Sequence, residues 1–194
     1  MEAITTLVDE HRVLEDGLDA LESVIKQTEA GKAPPALKIQ QLLDFYADFA
    51  DERHHRKEEA VLIPNLEQSC GGRYLCPHSD TLDRMQREHR SGHRLIGAMR
   101  DALPKLSKDP KAREAFLEAA RTYVTMQREH IKLEEEDLFP EAEAILVGHD
   151  TELMAAYDRR AADAGESRSL HEFQEIVDGI LAGIQPTIPV PAST

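Results

Sequence analysis

Four long stretches of the chain carry apolar residues at three- and four-residue spacing, the pattern of helices that each bury one stripe. In the first, about residues 2 to 29, the stripe is Ile4, Leu7, Val8, Leu14, Leu18, Leu21 and Ile25, and Gly31 with Pro34 and Pro35 ends it. The second, about 36 to 67, has Leu43, Tyr46, Ala47, Ala50, Val61 and Leu62 in phase, with Pro64 placed to kink its end. Leu82, Met85, Ile96, Met99 and Leu103 mark a third over about 80 to 104. Phe116, Ala119, Tyr123, Met126, Leu133 and Leu138 mark a fourth over about 110 to 146. Short connections make such helices antiparallel neighbours, so the expected fold is all-α, an up-down-up-down four-helix bundle over residues 1–147.

Residues 148–194 are expected to form a helical extension packed on the bundle, with one short helix near 151–162 and another opening at Ser169, where Ser169 and Glu172 form a capping box. Leu170, Phe173, Ile176, Val177, Ile180 and Leu181 give the last helix a face to dock, as a lid over one bundle end or as a homodimer contact. The tail IQPTIPVPAST, with three prolines, is expected to be extended or frayed.

A formal charge of −14 makes a nucleic-acid backbone or an anionic membrane surface an unsuitable partner. The opening MEAITTLVDEH lacks the basic and apolar regions of a signal peptide, and no run of eighteen apolar residues occurs. Two cysteines suit a reducing cytoplasm without a disulfide framework. Cys70, Cys76 and His78 read as a plain loop, because C-x5-C is not a specific metal or redox spacing.

The chemistry is concentrated in an internal echo. HHRKEEAVLIP at 54–64 and HIKLEEEDLFP at 130–140 share histidine, glutamate, leucine and proline at the same offsets, matching His54 to His130 and Glu58 to Glu134. His55 falls opposite Ile131. In α-helical phase His54 continues the stripe of Leu43, Tyr46, Ala47 and Ala50, whereas His55 continues Asp48, Asp51 and Glu52. His55 and Glu59 are therefore expected on the solvated face, or as outer partners of a site. His130 with Glu134, His89 with His93, and His11 all fall within apolar stripes.

Burying so many carboxylates and imidazoles costs several kcal/mol for each unpaired charge, which a bound cation would offset. The candidate ligands are His11, His54, Glu58, His89, His93, His130 and Glu134. Two octahedral ions offer about twelve positions, which these imidazoles, two bridging carboxylates and an oxo or hydroxo bridge would fill but for one. Imidazole with carboxylate suits iron first, with manganese or zinc as alternatives. Tyr46 and Tyr123, two turns before their histidines, are expected to pack in the core.

These residues resemble those of hemerythrin-like proteins, the HHE cation-binding domain family, over about residues 1–147: a histidine on helix one (His11), His-xxx-Glu on helix two (His54, Glu58), histidines on helix three (His89, His93), and histidine with carboxylate on helix four (His130, Glu134). The resemblance implies a non-haem di-iron centre that binds or reacts with oxygen, nitric oxide or peroxide. It also leaves open peroxide or nitric oxide detoxification, iron-sulfur cluster repair, and iron storage or sensing. Oxygen carriers place an aspartate five residues after the helix-four histidine, where this chain has Glu135. The four-residue spacing to Glu134 is more similar to the bacterial branch. A ferritin-like site would instead use Glu-xx-His and be dominated by carboxylates.

Overall fold

The computed structural model describes residues 1–32, 34–77 and 79–184. His78, and nearly all of the tail expected to be extended, lie outside the described residues. The described chain is helical without strands. The first bundle helix is α1 (Glu2–Glu29). The second runs through α2 (Ala36–Phe45), two wide π-helical stretches (Tyr46–His55 and Glu58–Leu62) and α3 (Ile63–Ser69). The third is α4 (Ser79–Ala102). The fourth runs through α5 (Pro110–Leu133), a π-helical stretch (Glu134–Leu138) and α6 (Phe139–Ile145).

The prolines explain two of the wide stretches. Pro64 and Pro140 have no N–H to give an α-type bond and crowd the carbonyl four residues back, so the helix widens just ahead of each instead of stopping. The sequence echo is therefore also a structural one: each of these two stretches begins at the echoed glutamate, Glu58 or Glu134.

Two apolar cores lie on either side of a polar layer. One contains Leu18, Leu21, Leu42, Phe45, Tyr46, Met99, Phe116 and Tyr123; the other contains Leu7, Leu62, Leu66, Met85, Leu138, Phe139 and Leu146. Gly17 lets α1 and α2 approach, since a Cβ there would meet Phe45 Cε1 at 2.7 Å. Tyr46 donates its hydroxyl to Gly17 O across the same contact at 2.6 Å.

Two further helices, α7 (Asp150–Asp163) and α8 (Leu170–Ile184), pack on the bundle. Helix α8 lies against α1 and α2 and buries Phe173, Val177, Ile180 and Ile184. At roughly 1.5–3 kcal/mol for each such side chain, this face alone holds it in place. Its capping box forms, with Glu172 N donating to Ser169 Oγ at 3.2 Å and Ser169 N to Glu172 Oε2 at 2.6 Å. Asp150 ties α7 to the bundle by accepting from the backbone N–H groups of Glu2 and Ala3, both at 3.0 Å.

The loop after α3 differs from expectation. Cys70 and Cys76 are joined in a disulfide, their Cα atoms 5.2 Å apart. Gly71 and Gly72, at φ +81° and +136°, turn the chain back, and Arg73 pairs with Asp83 on α4 and with Glu67. Among the described residues no helix is long and apolar enough to cross a membrane.

Candidate metal centre

The polar layer holds His11, His54, His55, Glu58, His89, His130 and Glu134, each at most 5% exposed. Two groups share the carboxylates: His11 and His54 with Glu58 and Glu134, and His89 and His130 with Glu58 and Glu134. In each group one donor atom per residue lies within 4.8 Å of all the others. Glu58 offers Oε1 to His54 Nε2 at 3.5 Å and Oε2 to His89 Nε2 at 3.4 Å. Glu134 offers Oε2 to His11 Nε2 at 3.1 Å and Oε1 to His130 Nε2 at 3.0 Å. Each carboxylate thus turns one oxygen to each half of the centre, and none of the four oxygens has a hydrogen-bond partner despite full burial.

The outer faces of the imidazoles are tied down. His54 Nδ1 meets Glu10 at 3.1 Å, His89 Nδ1 meets Glu59 at 2.8 Å, His130 Nδ1 meets Glu88 at 2.9 Å and His11 Nδ1 meets Glu135 at 2.9 Å. A carboxylate only accepts, so each Nδ1 carries the proton and Nε2 is the atom available inside. These contacts close a ring around the bundle. Helix one orients a histidine of helix two, helix two one of helix three, helix three one of helix four, and helix four one of helix one. Every outer carboxylate adjoins in sequence a residue of the centre while serving a histidine on the next helix. Basic side chains hold three of them in turn: Arg53 and Lys57 on Glu10, Arg84 on Glu88, Arg12 on Glu135.

This arrangement fits a pair of cations. His11 Nε2 and His54 Nε2 stand 3.0 Å apart, as do His89 Nε2 and His130 Nε2. Octahedral donors on bonds of about 2.1 Å lie about 3.0 Å apart when adjacent. Metal-free, the same groups are in conflict. Burial and the facing Glu134 push the Glu58 carboxyl well above its ordinary value. Burial favours neutral His130, yet Glu134 and Glu88 outweigh it and push its pKa up to about 9. Burial takes His54 down to about 4 against the pull of Glu10. A cation held by these residues would take the place of the proton on His130 and relieve the facing carboxylates.

The structure brings together six of the residues singled out in the sequence, His11, His54, Glu58, His89, His130 and Glu134. It leaves out His93, whose side chain is 79% exposed with Nδ1 3.2 Å from Asp51 Oδ2. On regular α4 the buried seam runs Met85, His89, Gly92, Ile96, Met99, so Gly92 takes the inward place one turn after His89. Close contact with Gln127 and Tyr123 explains the glycine.

His55 takes the opposite course. Expected on the solvated face, it is buried, and its donor atom groups with those of His89 and His130 within 4.8 Å. Its ring stacks on that of His89 with centroids 3.9 Å apart. The cause is the wide stretch Tyr46–His55: buried Phe49 and Ala50 are followed five residues on by buried His54 and His55, a spacing an α-helix would rotate apart. One signal was in the sequence. Ile131, opposite His55 in the echo, is apolar, and it too is buried. Glu59 bonds His89, as an outer partner.

A family model described as the hemerythrin HHE cation binding domain matches residues 2–142. No curated protein and no solved structure matches the chain. The match spans the bundle and every residue of the polar layer, and the chain belongs to the hemerythrin HHE cation-binding domain family.

Proposed function

We propose that the chain is a non-haem di-iron protein that binds a small ligand, oxygen, nitric oxide or peroxide, at the centre of the bundle, acting in the cytoplasm. The observation that carries this reading is the pair of buried carboxylates, Glu58 and Glu134, each turning one oxygen to either half of a histidine cage and lacking any hydrogen-bond donor. His11 and His54 would hold one ion, and His55, His89 and His130 the other, with Glu58 and Glu134 shared. This donor set would take iron, or alternatively manganese or zinc. The bound pair would supply open coordination for a small ligand and a change of charge state.

The protein's own groups do the rest. The outer carboxylates fix each imidazole so that Nε2 faces inward. Phe139, stacked on His11 with centroids 5.5 Å apart, and buried Leu62 and Leu138 exclude water beside the centre. The Tyr46 hydroxyl is committed to Gly17 O, so it is not a free proton donor, which favours ligand binding over turnover.

A second reading, an enzyme turning over peroxide or nitric oxide, is favoured by one feature. From His54 the contacts run through Glu10 to Lys57, which with Tyr157 lines a cavity of about 350 Å³ open to solvent. Such a line could carry protons. Stopped-flow spectra of the iron-loaded protein with each ligand separate the two: spectra that revert when oxygen or nitric oxide is removed support binding, and catalytic loss of excess peroxide or nitric oxide supports turnover. No spectral response to any of the three contradicts both.

A further inference from the structure

Asp51, His55, Glu59, His89, Arg90 and His93 line an open cleft of about 270 Å³ on the side of the bundle between the second and third helices. Its inner wall belongs to the centre, for His55 and His89 form a donor group with His130. At its mouth stands His93, exposed, with Nδ1 3.2 Å from Asp51 Oδ2. The other oxygen of Asp51 lies 3.3 Å from His55 Nδ1, a buried atom that makes no hydrogen bond. One carboxylate thus spans from a solvent-facing imidazole to a buried one.

We propose that this cleft is the route by which a divalent cation reaches the buried centre, with Asp51 and His93 as its first landing point. The inference rests on reading the polar layer as a two-ion centre. Three of the outer carboxylates are screened by positive charge: Glu10 by Arg53 and Lys57, Glu88 by Arg84, Glu135 by Arg12. At the cleft the two ion-pair partners of Asp51 are imidazoles, His55 and His93; Arg56 and Arg90 also line it, but Arg56 is turned onto Glu52 at 3.4 Å and both act on Glu59. Neither Asp51 nor His93 belongs to a compact donor group among the described residues, so a cation caught there is held loosely and passes inward. The chain's charge of −14 draws cations toward such a mouth.

The test mixes metal-free protein with Co²⁺ in an anaerobic stopped-flow instrument, follows the ligand-field absorbance, and counts the metal in the product. Loading of the native chain is expected to saturate with Co²⁺ concentration. His93→Ala is expected to load about tenfold more slowly, within the range that charged clefts add to on-rates, and to reach the same end point. Asp51→Asn is expected to slow loading as well. His171→Ala, exposed on α8, is expected to load at the native rate. Native-rate loading by His93→Ala or by Asp51→Asn overturns the proposal. So does a lower final metal content in His93→Ala, which would make His93 a ligand. Native protein that takes up less than one ion per chain would overturn the two-ion reading and this inference together.

Discussion

His11 Nε2 and His54 Nε2 stand 3.0 Å apart in a buried space while the Nδ1 of each ring is already bound to a carboxylate, Glu135 or Glu10. At most one proton can lie between those two atoms, and a cation satisfies both. His89 and His130 repeat the arrangement at the same distance. Metal should therefore stabilise the fold. Saturation at about a hundred times the dissociation constant adds about 2.7 kcal/mol, a rise in Tm of about 5–10 °C for a chain of this size. Differential scanning calorimetry with Mn²⁺ or Zn²⁺, then with a chelator, checks this; a Tm indifferent to both contradicts it.

The wide stretch Tyr46–His55 turns His55 inward, while the regular α4 turns His93 outward. His55→Ala is expected to lower iron from about two ions per chain to about one, by removing a donor from the His89/His130 half. His93→Ala is expected to keep both at equilibrium. Metal analysis of the two variants decides it, and the reverse pattern would mean that α4, not the π-helical stretch, supplies the extra donor.

Metal uptake should release protons. Without metal, burial and the facing Glu134 push the Glu58 carboxyl well above its ordinary value, and His130 keeps its extra proton up to about pH 9. The raised His130 pKa stabilises the metal-free fold fully below its unfolded value near 6.5, and that contribution fades as pH rises through about 9. The extra His130 proton must leave when a cation binds, so at pH 7 about one or more is expected per loaded chain, with apparent affinity rising up to about pH 9. Indicator-dye titration reads the release directly. An affinity that falls between pH 6 and 8 would refute this assignment.

Glu10 is fully buried between His54, Arg53 and Lys57. Burial pushes its carboxyl up, but His54 and Lys57 overcome it and bring the pKa down to about 2. The ionised group thus stabilises the metal-free fold above about pH 4.5, and that contribution is lost as pH falls through about 2. Glu10→Gln strands the Lys57 ammonium in the interior and should cost about 3 kcal/mol at pH 7. Urea unfolding measures it, and a change under about 0.5 kcal/mol, the range of a neutral surface substitution, would show that the network contributes little.

Much of this architecture was legible before the structure. The stripes from Ile4 to Ile25 and from Phe116 to Leu138 outlined bundle helices, and the 54–64 and 130–140 echo singled out the paired carboxylates, because both follow from simple periodicity. His55 departs from its sequence expectation because the segment that carries it widens, so a constant α-helical phase does not hold through it. His93 was over-read because Gly92, having no side chain, left the inward position unmarked. The ring of outer carboxylates, Glu10, Glu59, Glu88 and Glu135, was hidden for another reason. Each lies beside a residue of the centre in sequence but serves a histidine on another helix, a relation only the packed bundle creates.

Glu58 and Glu134 are proposed to join two ions in one centre. Iron analysis with Mössbauer spectroscopy of the ⁵⁷Fe-reconstituted chain tests it most directly, alongside Glu58→Ala and Glu134→Ala. The native chain is expected to hold about two irons, magnetically coupled, and either variant less than about one. Two uncoupled irons in the native chain, fewer than one, or full iron retention in both variants would contradict it.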